Sequence, residues 1–423
     1  MIQSLHLTNF KNFQDATLSL GKLTVLVGTN ASGKSNLRDA FRFLHGMARG
    51  YNLSEIIGEK YIGGALQWQG IRGGLREVVF LGGERFALET CLEIQDIDYV
   101  HSIELDVERN GEPPRVTRES LYADGAARLI YDSHPAEDPP AQEEGHQLFV
   151  RLPRGGDYRK LGPRLGFLDN QPVLTQILRH RKAPAIVKKE AEGIVGDLES
   201  MRFLDLSPEA MRIPSLPGQV VLGDRGQNLS SVLQAICENP QKRQATLEWV
   251  RQLTPLDVND FHFVPDQTGK VLVTLIERGG YPTSAYSASD GTLRFLAMIA
   301  AMLGPDPARF YFFEELDTGI HPTRLYLLLQ LIEQTVSRHE IQVIGTTHSP
   351  QLLGFLNESS REAATLVYRL PDHAEGRLRR ILDIPDARQV LANRNLSRLH
   401  ESGWLENAIS FLEAEPDGEA VKP

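Results

Sequence analysis

Cysteine is nearly absent from this chain. Cys91 and Cys237 are the only two in 423 residues. Neither has a second Cys or a His at metal-ligand spacing, so no thiolate metal site is expected and both read as free buried thiols. Long apolar runs are missing too. No stretch approaches the roughly 18 apolar residues of a membrane span. The opening MIQSLHLTNFKNF lacks the charged start and apolar run of a signal peptide. A cytoplasmic chain with no membrane partner is expected. No heptad repeat or solenoid period occurs, which excludes a long coiled coil and a repeat array. A basic excess is also lacking: 45 Lys and Arg stand against 55 Asp and Glu, for a net charge of −10. The surface as a whole therefore does not advertise nucleic-acid binding.

The 41% hydrophobic content is enough to bury a substantial core, as two or three domains or one large α/β unit with insertions. The first 27 residues alternate apolar and polar positions and predict three short strands, the last at Leu23 to Val27. From Ser35, the spacing of Leu37, Ala40, Phe41, Phe43, Leu44 and Met47 predicts an amphipathic helix. Strands at Val78 to Leu81, Phe86 to Ile94, Ser102 to Glu108 and Leu148 to Leu152 predict an antiparallel meander. Helical periodicity from Gln171 to about Met211 reads as an inserted arm. Further on, helices at Leu229 to Ile236, Gln241 to Leu253, Thr292 to Leu303 and Thr323 to Ser337 alternate with strands at Phe261 to Val264, Val271 to Glu277, Phe310 to Phe313 and Ile341 to Thr346. The later elements follow the pattern of a parallel α/β sheet. The expected organisation is an N-terminal lobe over 1–165, a helical arm over 166–215, a C-terminal lobe over 216–385 and a helical tail over 386–423.

Residues 28 to 35 read GTNASGKS and fit the phosphate-binding loop pattern, with a strand before and a helix after. Gly28 and Gly33 permit the tight turn that points backbone N–H groups at the phosphates, and Asn30, Ala31, Ser32 and Asn36 are expected to bind the nucleotide with them. Lys34 would set a point charge against the β- and γ-phosphates of ATP, and the Ser35 hydroxyl is a hard oxygen ligand for Mg²⁺. The apolar strand Phe310 to Phe313 ends in Glu314 and Glu315. Glu314 would hold the magnesium ion and Glu315 would act as general base toward water. His348 ends the next apolar strand, within reach of the γ-phosphate or the attacking water. The turn Ser289-Asp290-Gly291-Thr292 opens a helix and is either an ordinary cap or a second anion-binding end. Between Arg151 and Lys189 there are ten Lys or Arg and two acids, Asp157 and Asp169. This excess is either a solvated face or a contact for a phosphate backbone.

Together GTNASGKS, SASDGTLRF, FFEELDTGIHP and GTTHSP, in that order, resemble the ATP-binding-cassette ATPases of the RecF and SMC kind. The set is most similar to the AAA_21 and OLD-family branch of bacterial ATPases. The resemblance implies an α/β ABC-ATPase-type P-loop fold with a mixed central sheet, an antiparallel β lobe and an inserted helical arm. It implies a head-to-tail homodimer in which Ser289 and Gly291 contact the γ-phosphate in trans. Gly319 to His321 would lie at the seam, and Lys11 or Asn12 would touch the nucleotide. Glu314 stands where ABC proteins commonly carry aspartate, and Leu316 where this branch often has proline. The magnesium-sensing glutamine is not assigned, Gln69 being one candidate. About 75 residues follow His348, too few for the Toprim nuclease domain of OLD proteins, so no intrinsic nuclease is expected. Two function classes remain. One is an ATP-driven DNA clamp or sensor in repair or anti-phage defence, with a separately encoded effector; the other is a nucleotide switch that assembles protein partners without touching DNA.

Overall fold

A computed structural model of the chain describes residues 1–107, 111–135, 145–154, 157–254, 256–384 and 387–388. It opens with β1 (Ile2–Phe10), β2 (Phe13–Ser19), β3 (Leu23–Val27) and α1 (Lys34–Ala48). Next come α2 (Leu53–Ile57), the hairpin β4 (Lys60–Ile62) and β5 (Ala65–Trp68), and α3 (Gly74–Glu77). A meander follows: β6 (Arg85–Ile94), β7 (Ile97–Asp106), β8 (Arg115–Ala123), β9 (Arg128–Asp132), β10 (Gln147–Arg154) and β11 (Asp157–Leu168). The middle of the chain holds α4 (Val173–Arg179), α5 (Ala185–Glu199), β12 (Arg202–Leu204), α6 (Pro208–Met211), α7 (Leu229–Cys237) and α8 (Pro240–Leu253). Beyond it lie β13 (Val258–Pro265), β14 (Val271–Glu277), β15 (Pro282–Ser284), α9 (Asp290–Leu303) and β16 (Phe310–Phe313). The last elements are α10 (Pro322–Arg338), β17 (Gln342–Thr347), α11 (Glu358–Glu362), β18 (Thr365–Arg369) and β19 (Gly376–Arg380).

Burial patterns explain how these strands sort into sheets. Every residue of β3, β16 and β17 is buried, as expected of strands covered on both faces. They form the middle of a six-stranded sheet of order β12-β16-β17-β3-β18-β19. All of its pairs are parallel except β18 with β19, so the sheet is mixed. β2 and β6 instead alternate buried and exposed positions, the mark of a sheet with one face on the core. They belong to an eight-stranded sheet of order β11-β10-β9-β8-β7-β6-β1-β2.

Helix α1 joins the two sheets through two aromatic side chains near its middle, Phe41 and Phe43. Phe41 packs on Phe310 and Phe312 of the parallel sheet at 5.1 and 6.1 Å between ring centroids. Phe43 meets Phe86 of the antiparallel sheet edge-on at 5.6 Å. The far face of the parallel sheet is covered by a second core, in which Leu293, Leu296, Leu328 and Ile332 of the later helices pack with Val25 and Val343. The helix that begins at the phosphate-binding loop is therefore gripped by both lobes.

Several elements differ from the sequence reading. Val78 to Leu81 is not a strand: Val78 N donates to Gly74 O and closes a helical turn. Leu81 is left-handed at φ 46°, and only Val79 forms a bridge, to Phe10. β8 escaped notice because Arg, Thr and Glu break its apolar alternation, and β9 and β11 escaped with it. Residues 166–215 do not form an arm. β11 continues through the expected boundary to Leu168, and α5 buries Val187, Ala191, Ile194 and Leu198. The Leu198 carbonyl lies 3.0 Å from His45 Nδ1 on α1, and β12 pairs with β16 inside the central sheet. An apolar stripe of that length must be covered, and α1 covers it. The expected helical tail at 386–423 lies outside the described residues apart from 387–388. Among the described residues, no helix is long and apolar enough to cross a membrane.

Candidate nucleotide site

The phosphate-binding loop leaves β3, which lies between β17 and β18 in the sheet, and turns directly into α1. A Cβ at Gly28 would stand 2.3 Å from Val367 O and 2.8 Å from Ser32 Oγ, so only glycine fits there. Gly33, the residue before α1, holds φ 120°, and Ala31 is left-handed at φ 62°. These turns curl the loop and leave Ser32 Oγ buried without a hydrogen-bond partner. Lys34 Nζ donates to Gly28 O at 2.7 Å and to Thr29 O at 2.8 Å. Burial pushes the Lys34 pKa down to about 8, against the opposing pull of Glu315, Asp317 and Glu314. Ser35 sits half-buried in the first turn of α1, and Asn30 is exposed at the loop's crest.

Lys11 and Asn12 lie beside this loop, but their side chains are engaged within the protein. Asn12 Nδ2 donates to Ser32 O at 3.2 Å, and its Oδ1 accepts from Asn36 Nδ2 at 2.7 Å. The Asn12 carbonyl accepts from Gly376 N at 2.7 Å. Lys11 is buried, donates to the Arg72 carbonyl and lies 3.8 Å from Asp39. The β1–β2 turn is thus a clamp on the loop's outer edge. Among the described residues, the Lys11, Asn12 and Asn36 side chains are held by protein groups around the loop.

Strand order brings the other residues in. β16 neighbours β17, and β17 neighbours β3, so the residues after all three strands converge at one edge. Glu314 Oε2 pairs with Arg38 Nη1 at 3.0 Å, while its Oε1 is buried with no hydrogen-bond partner among the described residues. Glu315 adopts a left-handed backbone, φ 51°, which costs a non-glycine residue about 1–2 kcal/mol. Its N–H donates to Thr346 Oγ1 at 2.9 Å, and its Oε2 accepts from Thr318 Oγ1 at 2.8 Å. Its Oε1 lies 3.8 Å from His348 Nε2. His348 Nδ1 stands 3.0 Å from Gly28 O and 3.4 Å from Lys34 Nζ. A carbonyl only accepts, so Nδ1 donates to Gly28 O and the other ring nitrogen faces Glu315. Thr346, Thr318 and Arg38 were missed in the sequence; Thr346 precedes His348 by two and Thr318 follows Glu315 by three, but neither spacing is a motif.

Ser289 and Gly291 stand apart from this cluster. Ser289 is the exposed cap of α9, its Oγ accepting from Thr292 N at 3.2 Å. Asp290 pairs with Arg212 at 2.7 Å. A Cβ on Gly291 would lie 2.7 Å from Gly319 O, so the two glycines bring the turn and the stretch after Glu315 into close contact. Among the described residues, no hydrogen bond or ion pair joins 289–292 to 28–35. Gln69 is exposed and lines a separate cavity with Arg42 and Asp224, to which none of residues 28–35 contributes. His321 caps α10, its ring accepting from Thr323 N.

A glycine-bounded phosphate cradle at the end of a central parallel strand, with two carboxylates and a histidine at the ends of the next strands, defines an α/β P-loop ATPase. A family model described as "AAA domain, putative AbiEii toxin, Type IV TA system" matches residues 166–354, and one described as "AAA ATPase domain" matches residues 1–103. Together these two ATPase-domain models match the chain on both sides of the central β-meander, in keeping with ATP hydrolase activity. It is similar to an "ATP/GTP phosphatase" of Helicobacter pylori (strain ATCC 700392 / 26695), with 21% identity over 86% of this chain and 89% of that protein. Its fold is similar to that of an SMC head solved bound to the C-winged helix domain of ScpA. The TM-score is 0.50 at 13% identity, over 89% of this chain and 97% of that one.

Proposed function

We propose that two copies of this ATPase close head-to-tail around two ATP molecules, and that the closed pair acts as a clamp or sensor whose release follows hydrolysis. The observation that carries this reading is the split of the site. Lys34, Glu314, Glu315 and His348 converge on the loop, while Ser289 and Gly291 are presented elsewhere on the same chain. A two-fold pair would bring each exposed Ser289 turn over the partner copy's loop, an arrangement that closes on itself.

Within this reading the loop backbone and Lys34 bind the phosphates. Glu315 accepts the proton of the attacking water, and His348, between Glu315 and the loop, reports the γ-phosphate. The orphaned Glu314 Oε1 and the half-buried Ser35 hydroxyl are hard oxygen donors suited to Mg²⁺, which when bound supplies neutralisation of phosphate charge. Among the described residues no group of three or more His, Cys, Asp or Glu side chains could hold a metal by itself. A magnesium ion that relies largely on phosphates and water fits that chemistry. Arg38 holds the other Glu314 oxygen and sets its orientation.

DNA is the proposed ligand of the closed pair, through the exposed Arg154, Lys160, Arg179, Arg181, Lys182 and Lys189. A role in repair or anti-phage defence, with a separately encoded effector, draws support from the family description's mention of a putative toxin and a type IV TA system. A second reading, a switch that assembles protein partners without DNA, is favoured by one feature: the basic residues are divided between β10–β11 and α4–α5 and form no projecting arm. The similar SMC head, solved with a winged-helix domain, is in keeping with that reading.

Light scattering with ATP tests the pairing: Glu315→Gln should form a dimer that Ser289→Arg prevents, and a monomer with full turnover would end it. Binding of a long duplex to the Glu315→Gln dimer should weaken steeply with salt. No binding at low salt leaves the protein-switch reading.

A further inference from the structure

A cavity of about 410 Å³ lies between the second half of α1, the β4–β5 hairpin and the segment around Phe203, away from the phosphate-binding loop. Arg42, Arg49 and Arg202 line it, against one carboxylate, Asp224. Arg42 is only 8% exposed. Its guanidinium lies 4.8 Å from the ring centroid of Trp68 and 5.6 Å from that of Phe203. The rings hold the guanidinium in place but offer its N–H groups no acceptor. Among the described residues Arg42 has no hydrogen bond or ion pair; Asp224 acts on it only at longer range. Burial disfavours its charge, pushing the pKa below the ordinary value.

The surrounding groups do not supply the missing partner. His45, on the same wall, has its pKa pushed down to about 4 by burial, so the ring is neutral near pH 7, and its Nδ1 lies 3.0 Å from the Leu198 carbonyl. Arg202 directs one N–H to Met201 O and remains half-buried, and Arg49 is exposed at the rim. A charged, nearly buried arginine whose donors open on a polar cavity is an incomplete ion-binding arrangement.

We infer that this cavity binds a phosphate-bearing anion, with Arg42 as its buried contact and Arg49 and Arg202 at its mouth. The planar guanidinium fork matches paired phosphate oxygens, and the volume exceeds what a single inorganic ion fills. The anion is therefore of pyrophosphate size, or a phosphate monoester carried on a larger body, either free or at the end of a nucleic-acid strand. Arg38, which pairs with Glu314, lies one turn before Arg42 on α1 and repels it. An anion beside Arg42 would ease that repulsion and so act on the Glu314 pair. The binding itself does not depend on the proposed ATP cycle.

Titration calorimetry on the full chain carrying Lys34→Ala, which weakens phosphate capture at the loop, tests the site with pyrophosphate at low salt. One equivalent should bind, with affinity about 10-fold lower after Arg42→Gln and partly restored by Arg42→Lys. Arg49→Gln with Arg202→Gln, at more exposed positions than Arg42, should weaken it by a smaller factor. Thermal melts establish that each variant is folded. A 5′-phosphorylated oligonucleotide competing with pyrophosphate, where its unphosphorylated twin does not, assigns a strand end; pyrophosphate alone assigns a free anion. No uptake in the Lys34→Ala chain, or uptake indifferent to all the arginine substitutions, overturns the inference.

Discussion

Glu119 in the antiparallel sheet and Glu314 at the end of β16 are both largely withdrawn from water, yet their hydrogen bonding is opposite in character. Glu119 is wholly buried, and both its oxygens are occupied. Oε1 accepts from Tyr131 Oη at 2.8 Å and from Leu174 N at 2.9 Å, and lies 3.1 Å from His101 Nε2. Oε2 accepts from Val173 N at 2.6 Å. Four donors from β7, β9 and the start of α4 complete the carboxylate. Glu314 has one oxygen on Arg38 and the other without a partner. Its neighbour Glu315 is half exposed in a strained backbone. A completed buried carboxylate holds structure together; an incomplete one at a sheet edge is available for chemistry.

Substitution should separate the two kinds of site. Glu119→Ala removes the acceptor of four donors and should lower the unfolding free energy by about 3–5 kcal/mol in urea titration. Retained stability would show that the network is ornamental. Glu315→Gln should do the reverse, cutting ATP turnover by about 10²–10⁴-fold while changing stability by less than about 0.5 kcal/mol. An unchanged kcat would remove Glu315 from the proposed role. Thr346→Val withdraws the hydroxyl that receives the Glu315 N–H and should lower kcat by about 10-fold, near 1.4 kcal/mol, with little effect on KM. A change confined to KM would mean that Thr346 affects nucleotide binding rather than the position of Glu315.

The smallest effect concerns pH. The Lys34 pKa in the folded chain, about 8, lies below its ordinary 10.5. Between these values the unfolded chain binds more protons, so this group's contribution to stability rises as pH increases from about 8 to 10.5. Below about 8 the full cost of burying the charge is present. Phosphates against Lys34 favour the charged form, so ATP binding should take up a fraction of a proton at pH 9 and almost none at pH 7. Calorimetry in buffers of different ionisation enthalpy measures this, and equal uptake at both values would place ATP away from Lys34.

The cradle was legible because its eight residues are contiguous and its glycines dictate local backbone geometry; Gly28, Gly33 and Lys34 need no distant partner to be recognised. The strand ends carrying Glu315 and His348 were legible for a similar reason, since unbroken apolar runs announce central parallel strands. Contacts between residues far apart in the chain left no such pattern. Thr346 with Glu315, Arg38 with Glu314, and Asn12 with Ser32 are ordinary residues until the sheet order brings them together. The helix periodicity of residues 185 to 199 was plain, but not that its apolar face rests on α1 instead of projecting.

By itself, the amino-acid order determined where the phosphate-binding loop turns sharply, which segments form the main helices and the central strands, and which residues have phosphate chemistry, because these depend on steric limits and periodicities spanning a few residues. Only the tertiary structure decided that the P-loop is braced by Asn12, that 166–215 is built into the core, that Glu119 is complete, and that Arg42 is buried without an ion-pair partner among the described residues. Each depends on how hydrogen bonds and charges are satisfied in three dimensions, which hydropathy along the chain does not encode.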